Sequence, residues 1–190
     1  MNRHLNKIIA MERIVTVAAI LLLLLASCGH VQSASKQQET SRIVKVDEGI
    51  YRGPRLDDLS ELRSLKIHTI LNLEDNLEAV HKESETAKQL GIVMISIPMS
   101  EIFRPKPADL LQAVKILEDR GPNAIYVHCL HGRDRTGFVV AAYKMIHYGW
   151  PMEKAYQEAV NNGHNRWFYD RILVWKESLR EIIQTRKTYG

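Results

Sequence analysis

The run His128-Cys129-Leu130-His131-Gly132-Arg133-Asp134-Arg135-Thr136-Gly137 constrains this chain more than any other stretch. It follows a short apolar segment, Ala124 to His128, that suits a buried strand, and it leads into a helix expected from about Thr136 to Tyr148. A strand that ends in a tight loop and continues as a helix belongs to an α/β layer structure. The loop is also an anion trap. The backbone N–H groups from Leu130 to Arg135 can curl toward one centre, and the positive end of the following helix adds to them. Gly132 gives the curl its backbone freedom, and Arg135 offers a planar fork that grips two phosphate oxygens. The same dipoles favour a thiolate at Cys129, the form in which a cysteine is a nucleophile.

The rest of the chain supplies the layers. Ile43-Val44-Lys45-Val46 and Ile50-Tyr51-Arg52 look like strands, divided by Gly49 and ended by Gly53-Pro54. Leu56 to Leu65 suits a helix with Leu59, Leu62 and Leu65 on one stripe. Ile67 to Leu73 and Ile92 to Ile97 are nearly continuous apolar runs, as in buried parallel strands. Helices are expected at Glu78 to Leu90, closed by Gly91, and from Pro107 to Gly121 with Leu110, Val114 and Leu117 inward. Two more follow the loop helix, one from Pro151 to Gly163 and one carrying Trp167, Ile172, Trp175, Leu179 and Ile182. Asn161-Asn162-Gly163 reads as an ordinary helix end. The expected fold is a single α/β domain over residues 43–190, with a mainly parallel sheet of four or five strands flanked by helices.

The N-terminus reads as an export signal. Arg3, Lys7 and Arg13 form a positive segment, and Ile14 to Leu25 an apolar run too short to span a bilayer, which takes about 20 residues. Leu25-Ala26-Ser27-Cys28 resembles the bacterial lipobox, so residues 1–27 are expected to be cleaved and Cys28 lipidated. Met11 is an alternative start to Met1. Residues 28–42 are small and polar and are expected to form a flexible tether. The expected location is periplasmic, on the outer membrane, with the membrane reached through Cys28. The formal charge of +4 falls to +2 once residues 1–27 take three basic and one acidic residue with them. No basic stripe with interleaved aromatics appears, which argues against nucleic acid as a partner. Cys28 and Cys129 are the only cysteines, and their different settings argue against a disulfide.

On Cys129 to Gly137, the chain resembles the cysteine-dependent phosphatase superfamily, nearest its compact atypical dual-specificity members and the phosphatase-like phytases. Ile50-Tyr51-Arg52-Gly53, Thr69 to Leu73 and Ile97-Pro98-Met99 look like that group too, so the likeness covers roughly residues 43–185. It implies a phosphate-monoester hydrolase working through a cysteinyl-phosphate. In that reading Cys129 attacks phosphorus, while Arg135 and the amides of Leu130 to Arg135 hold the charge of the transferring group. His128 is expected to brace the loop by hydrogen bonds to its backbone, and Thr136 to donate its hydroxyl to the sulfur as it leaves. Relatives carry the proton donor on an upstream loop, and Glu101 in Pro98 to Pro105 falls at about that place. Asp134 is the rival, because some relatives ending Lys-Asp-Arg-Thr-Gly are thought to use a loop aspartate.

Basic groups at the rim, His131 and Arg133 on the loop and Arg104 and Lys106 on the upstream segment, favour a substrate with several phosphates, such as an inositol polyphosphate. A phosphotyrosyl protein is the second expectation. A rhodanese-like sulfurtransferase is a remote third, since it does not need Arg135-Thr136-Gly137. The remaining histidines of the expected domain (His68, His81, His147, His164) are scattered, so no metal or cofactor is expected, and the chain is expected to act as a monomer.

Overall fold

The computed structural model describes residues 43–103, 105–165 and 174–189. The signal and tether segments, Cys28, Arg104, Trp167 and Ile172 lie outside those residues. Within them the chain runs β1 (Val44–Asp47), β2 (Ile50–Pro54), α1 (Ser60–Ser64), β3 (Ile67–Asn72) and α2 (Leu77–Gln89). It continues with β4 (Val93–Ser96), α3 (Pro107–Glu118), β5 (Ala124–Cys129), α4 (Asp134–Tyr148), α5 (Met152–Asn161) and α6 (Val174–Tyr189).

The strands form one five-stranded sheet in the order β1-β2-β5-β3-β4. Only β1 is antiparallel; β2, β5, β3 and β4 all run the same way. Ile70 and Tyr126 face one side of the sheet with Leu59 just before α1, Leu62 of α1 and Ala87 of α2. Leu71, Ile125 and Val127 face the other side with α3, α4, α5 and α6. Helix α4 is buried from Arg135 to Met145 on every side, so its apolar residues need no stripe. Each fully buried leucine, such as Leu62 or Leu117, contributes about 1.5–3 kcal/mol of transfer free energy.

One expected element is shorter. The stripe from Leu56 to Leu65 shrinks to Ser60–Ser64, because Asp58 Oδ1 accepts the Ser60 N–H at 2.8 Å and fixes a turn ahead of the helix. Leu65 is 38% exposed, just before Lys66 takes a left-handed φ of 56°. Helix α4 starts two residues earlier than expected, at Asp134, which shortens the loop between strand and helix.

The parallel strands place their carboxyl ends together. Pro54 pairs with Cys129, Asn72 with His128, and Asn72 with Ser96. Loops leaving that edge of an open parallel sheet are where α/β proteins bind ligands.

Candidate active site

The 129–134 loop is held open by its carbonyls. Arg55 N–H donates to the carbonyls of Cys129 (3.0 Å) and Leu130 (3.3 Å). Arg52, buried on β2, donates from Nη2 to the carbonyls of Gly132 (3.0 Å) and Arg133 (3.4 Å). Its other arm meets Glu158 of α5 at 3.3 Å. In a trans peptide the N–H points opposite the carbonyl. The N–H groups of Leu130, His131, Arg133 and Asp134 therefore turn away from Arg52 and Arg55, as an anion site needs. Gly132 N–H is committed to the Cys129 carbonyl at 3.3 Å.

Gly132 permits this arrangement on two counts. Its φ is +65°, and a Cβ there would lie 2.2 Å from the carbonyl carbon of Gly53. Gly132→Ala therefore forces the loop off the end of β2. The expected cost is about 2–5 kcal/mol, the sum of left-handed strain and overpacking. Chemical denaturation measures it; a cost under about 1 kcal/mol would mean the loop has room that the structure denies it.

A pocket of about 220 Å³ opens on the loop, lined by Glu101, Ile102, Cys129, His131, Asp134, Arg135 and Asn165. Cys129 is a free thiol, nearly buried, at its floor. Arg135 is 5% exposed and held from three sides. Its Nη1 donates to Asp75 Oδ1 (2.9 Å) and the Met99 carbonyl (3.2 Å), and its Nη2 donates to Glu101 Oε1 (2.5 Å). The structure thus brings Cys129, Arg135, Glu101, His131 and Asp134 to one place. Thr136 is fully buried, and its hydroxyl has no hydrogen-bond partner among the described residues. Lys106 is the exposed residue capping α3 and does not line the pocket, while Arg133 is packed against Gly163.

His128 differs from expectation. Its ring meets two buried carboxylates: Nε2 lies 3.1 Å from Glu83 Oε1, and Nδ1 lies 4.0 Å from Glu74 Oε1. Its β5 position beside Asn72 directs it toward α2, away from the loop backbone. The loop is braced through main chain instead, with Leu73 N–H donating to the His128 carbonyl at 2.9 Å. Glu74, Glu83 and His128 are residue types that hold cations, and no other such cluster occurs among the described residues. Asn72 and Arg55 engage the second oxygens of Glu83 (2.5 Å) and Glu74 (2.9 Å), while Glu74 Oε1, Glu83 Oε1 and both His128 ring nitrogens are buried with no hydrogen bond among the described residues.

Asp134 is engaged through one oxygen. Its Oδ1 accepts the Asn165 N–H at 2.8 Å and lies 3.0 Å from Nδ1 of buried His164. Burial pushes this carboxyl up, but the hydrogen bonds from His164 and Asn165 and the charge of Arg133 outweigh it and hold it below the usual range. Asp75, Arg52, Glu74, Glu83, His164 and Asn165 were not anticipated from sequence. Glu83 left one readable sign: it shares the inward face of α2 with Ala87, four residues on, where an acidic residue needs a buried partner. The others left none.

Comparison with known proteins gives four findings. A family model described as "Polymorphic toxin system, DSP-PTPase phosphatase" matches residues 48–149. The chain is 29% identical over 136 residues to inositol diphosphatase DSP3 of Arabidopsis thaliana, covering 67% of this chain and 64% of that one. It is 25% identical over 128 residues to the dual specificity protein phosphatase TpbA of Pseudomonas aeruginosa, covering 64% of this chain and 54% of that one. It thus spans less than two thirds of the length of either relative. Among solved structures, the core catalytic domain of the PP-IP phosphatase SIW14 from S. cerevisiae superposes with a TM-score of 0.56. That likeness, at 19% identity over 72% of this chain and 93% of the other, is one of fold.

Proposed function

The chain belongs to the DSP-PTPase phosphatase family of polymorphic toxin systems, and on that premise we propose that it hydrolyses an inositol polyphosphate through a cysteinyl-phosphate. One observation carries the chemistry: Cys129 and Arg135 line a single pocket above a loop of which four carbonyls are drawn outward by Arg52 and Arg55. In the first step the Cys129 sulfur forms a bond to phosphorus as the bond to the leaving oxygen breaks, and Glu101 gives that oxygen a proton. Arg135 exchanges its carboxylate partners for two phosphoryl oxygens, and the loop amides hold the charge. In the second step water attacks phosphorus, Glu101 takes a proton from it, and the sulfur leaves as thiolate. The buried Thr136 hydroxyl donates to that thiolate. Inorganic phosphate is released.

Support for inositol polyphosphates comes from a relative: DSP3 is an inositol diphosphatase. His131 puts a basic group on the pocket wall. One observation favours phosphotyrosyl protein as the second reading. Ile102 is 66% exposed and lines the pocket beside Phe103, an apolar flank that suits an aryl ring. The test is phosphate release from inositol hexakisphosphate, an inositol pyrophosphate and a phosphotyrosyl peptide, with Cys129→Ser as control. Release at least tenfold faster from the inositol substrates supports the reading, and faster release from the peptide reverses it. No release from any of the three ends the enzyme reading. The export signal and lipidated Cys28 are proposed as well; failure of Cys28→Ala to abolish acyl labelling and membrane fractionation in a bacterial host would refute them.

A further inference from the structure

We propose that Asn165 is a substrate-contacting residue of this pocket, held at its wall by His164 and Asp134 acting as positioning residues. The inference rests on the phosphatase reading above and adds a wall contributed from beyond the loop.

The turn after α5 is built onto the phosphate loop. Gly163 takes a φ of +87° and lies against Arg133, so closely that a Cβ would stand 2.8 Å from Arg133 Cδ. Gly163 and His164 are tied to α5 by N–H donation to the carbonyls of Val160 and Ala159, both at 3.0 Å. The His164 side chain is fully buried, lies edge-on to Tyr156 and directs Nδ1 at Asp134 Oδ1. The next N–H, that of Asn165, meets the same oxygen. Lower in the helix, Asn162 Nδ2 donates to Glu158 at 2.9 Å, and Glu158 holds Arg52, which holds the loop carbonyls. Asn165, exposed and at the end of this chain of contacts, lines the pocket with Cys129 and Arg135. A carboxamide offers both a donor and an acceptor, which suits the hydroxyl or phosphate oxygens that neighbour the scissile group.

A wall residue contributes to binding the body of the substrate, whereas the loop amides and Arg135 bind the phosphoryl group. The two contributions separate experimentally. Asn165→Ala keeps the backbone N–H bonded to Asp134 and removes the side chain alone. It is expected to raise KM for the preferred substrate about tenfold with kcat lowered less than threefold, as for loss of one hydrogen bond made equally in ground and transition states. Vanadate, which occupies only the phosphoryl position, should inhibit Asn165→Ala with an unchanged constant. His164→Ala should reproduce the rise in KM, and His164→Asn, which places an amide N–H near the Nδ1 position, should recover most of it. Wild-type KM in Asn165→Ala would overturn the contact. A wild-type KM in His164→Ala, with the thermal midpoint unchanged, would overturn the positioning role. Equal loss of vanadate affinity in both variants would also overturn it, because the turn would then be bracing the loop itself. An inactive wild type that binds no vanadate would refute the phosphatase reading separately.

Discussion

Cys129→Ser should abolish turnover, lowering kcat by about 10⁴-fold or more, while leaving the substrate bound. The sulfur and oxygen nucleophiles differ in what they need. A thiolate forms readily at the end of a helix among inward amides, whereas a serine hydroxyl needs a neighbouring base to take its proton. The two carboxylates that line the pocket already have partners, Glu101 on Arg135 and Asp134 on His164 and Asn165. Binding depends on other atoms. The loop carbonyls stay tied to Arg52 and Arg55, so the amides keep their direction, and Arg135 keeps its fork. The substitution is nearly isosteric at a 3% exposed site, so the fold should persist. Single-turnover phosphate release and calorimetric binding of the same substrate measure the two halves. Residual turnover above a tenth of wild type would rule out the covalent route, and loss of binding would show that the thiolate itself anchors the substrate.

The nucleophile was legible because its site is local. Cys129, Arg135 and Thr136 are close in sequence, and strand–loop–helix continuity alone determines their mutual placement. The supports were not legible, because topology makes them. Arg52 reaches the Gly132 carbonyl across 80 positions because β2 pairs with β5, and nothing around Arg52 announces that neighbour. His128 meets Glu83 because β3, adjacent to β5, leads into α2. Periodicity placed Leu59 and Leu62 in the core but overran at Leu65: the turn fixed by Asp58 precedes the helix and the left-handed Lys66 follows it. Charge counting likewise put Lys106 at the rim, although it caps α3 and stays off the pocket. A residue's type shows what chemistry it offers; which cavity it faces is set by pairings dozens of positions away.

Among the carboxylates near Arg135, Glu101 is the proton donor this geometry supports, and Glu101→Gln should lower kcat by about 10²–10⁴ for an inositol phosphate monoester. An alkoxide leaving from an inositol ring is strongly basic, so bond cleavage needs a proton delivered in the transition state. Glu101 lines the pocket with Cys129, and a phosphoryl group taking its place on Arg135 would release it to act. Asp134 is poorly suited. Its carboxyl is held below the usual range by bonds from His164 and Asn165, so near neutral pH it carries no proton to give. Asp75 also touches Arg135, yet it does not line the pocket. The effect should depend on the leaving group. A nitrophenolate, or the phosphate expelled from a pyrophosphate, departs without help, so Glu101→Gln should cost those substrates less than about tenfold. Should Asp134→Asn cost more than Glu101→Gln on the monoester, the proton comes from elsewhere in the pocket.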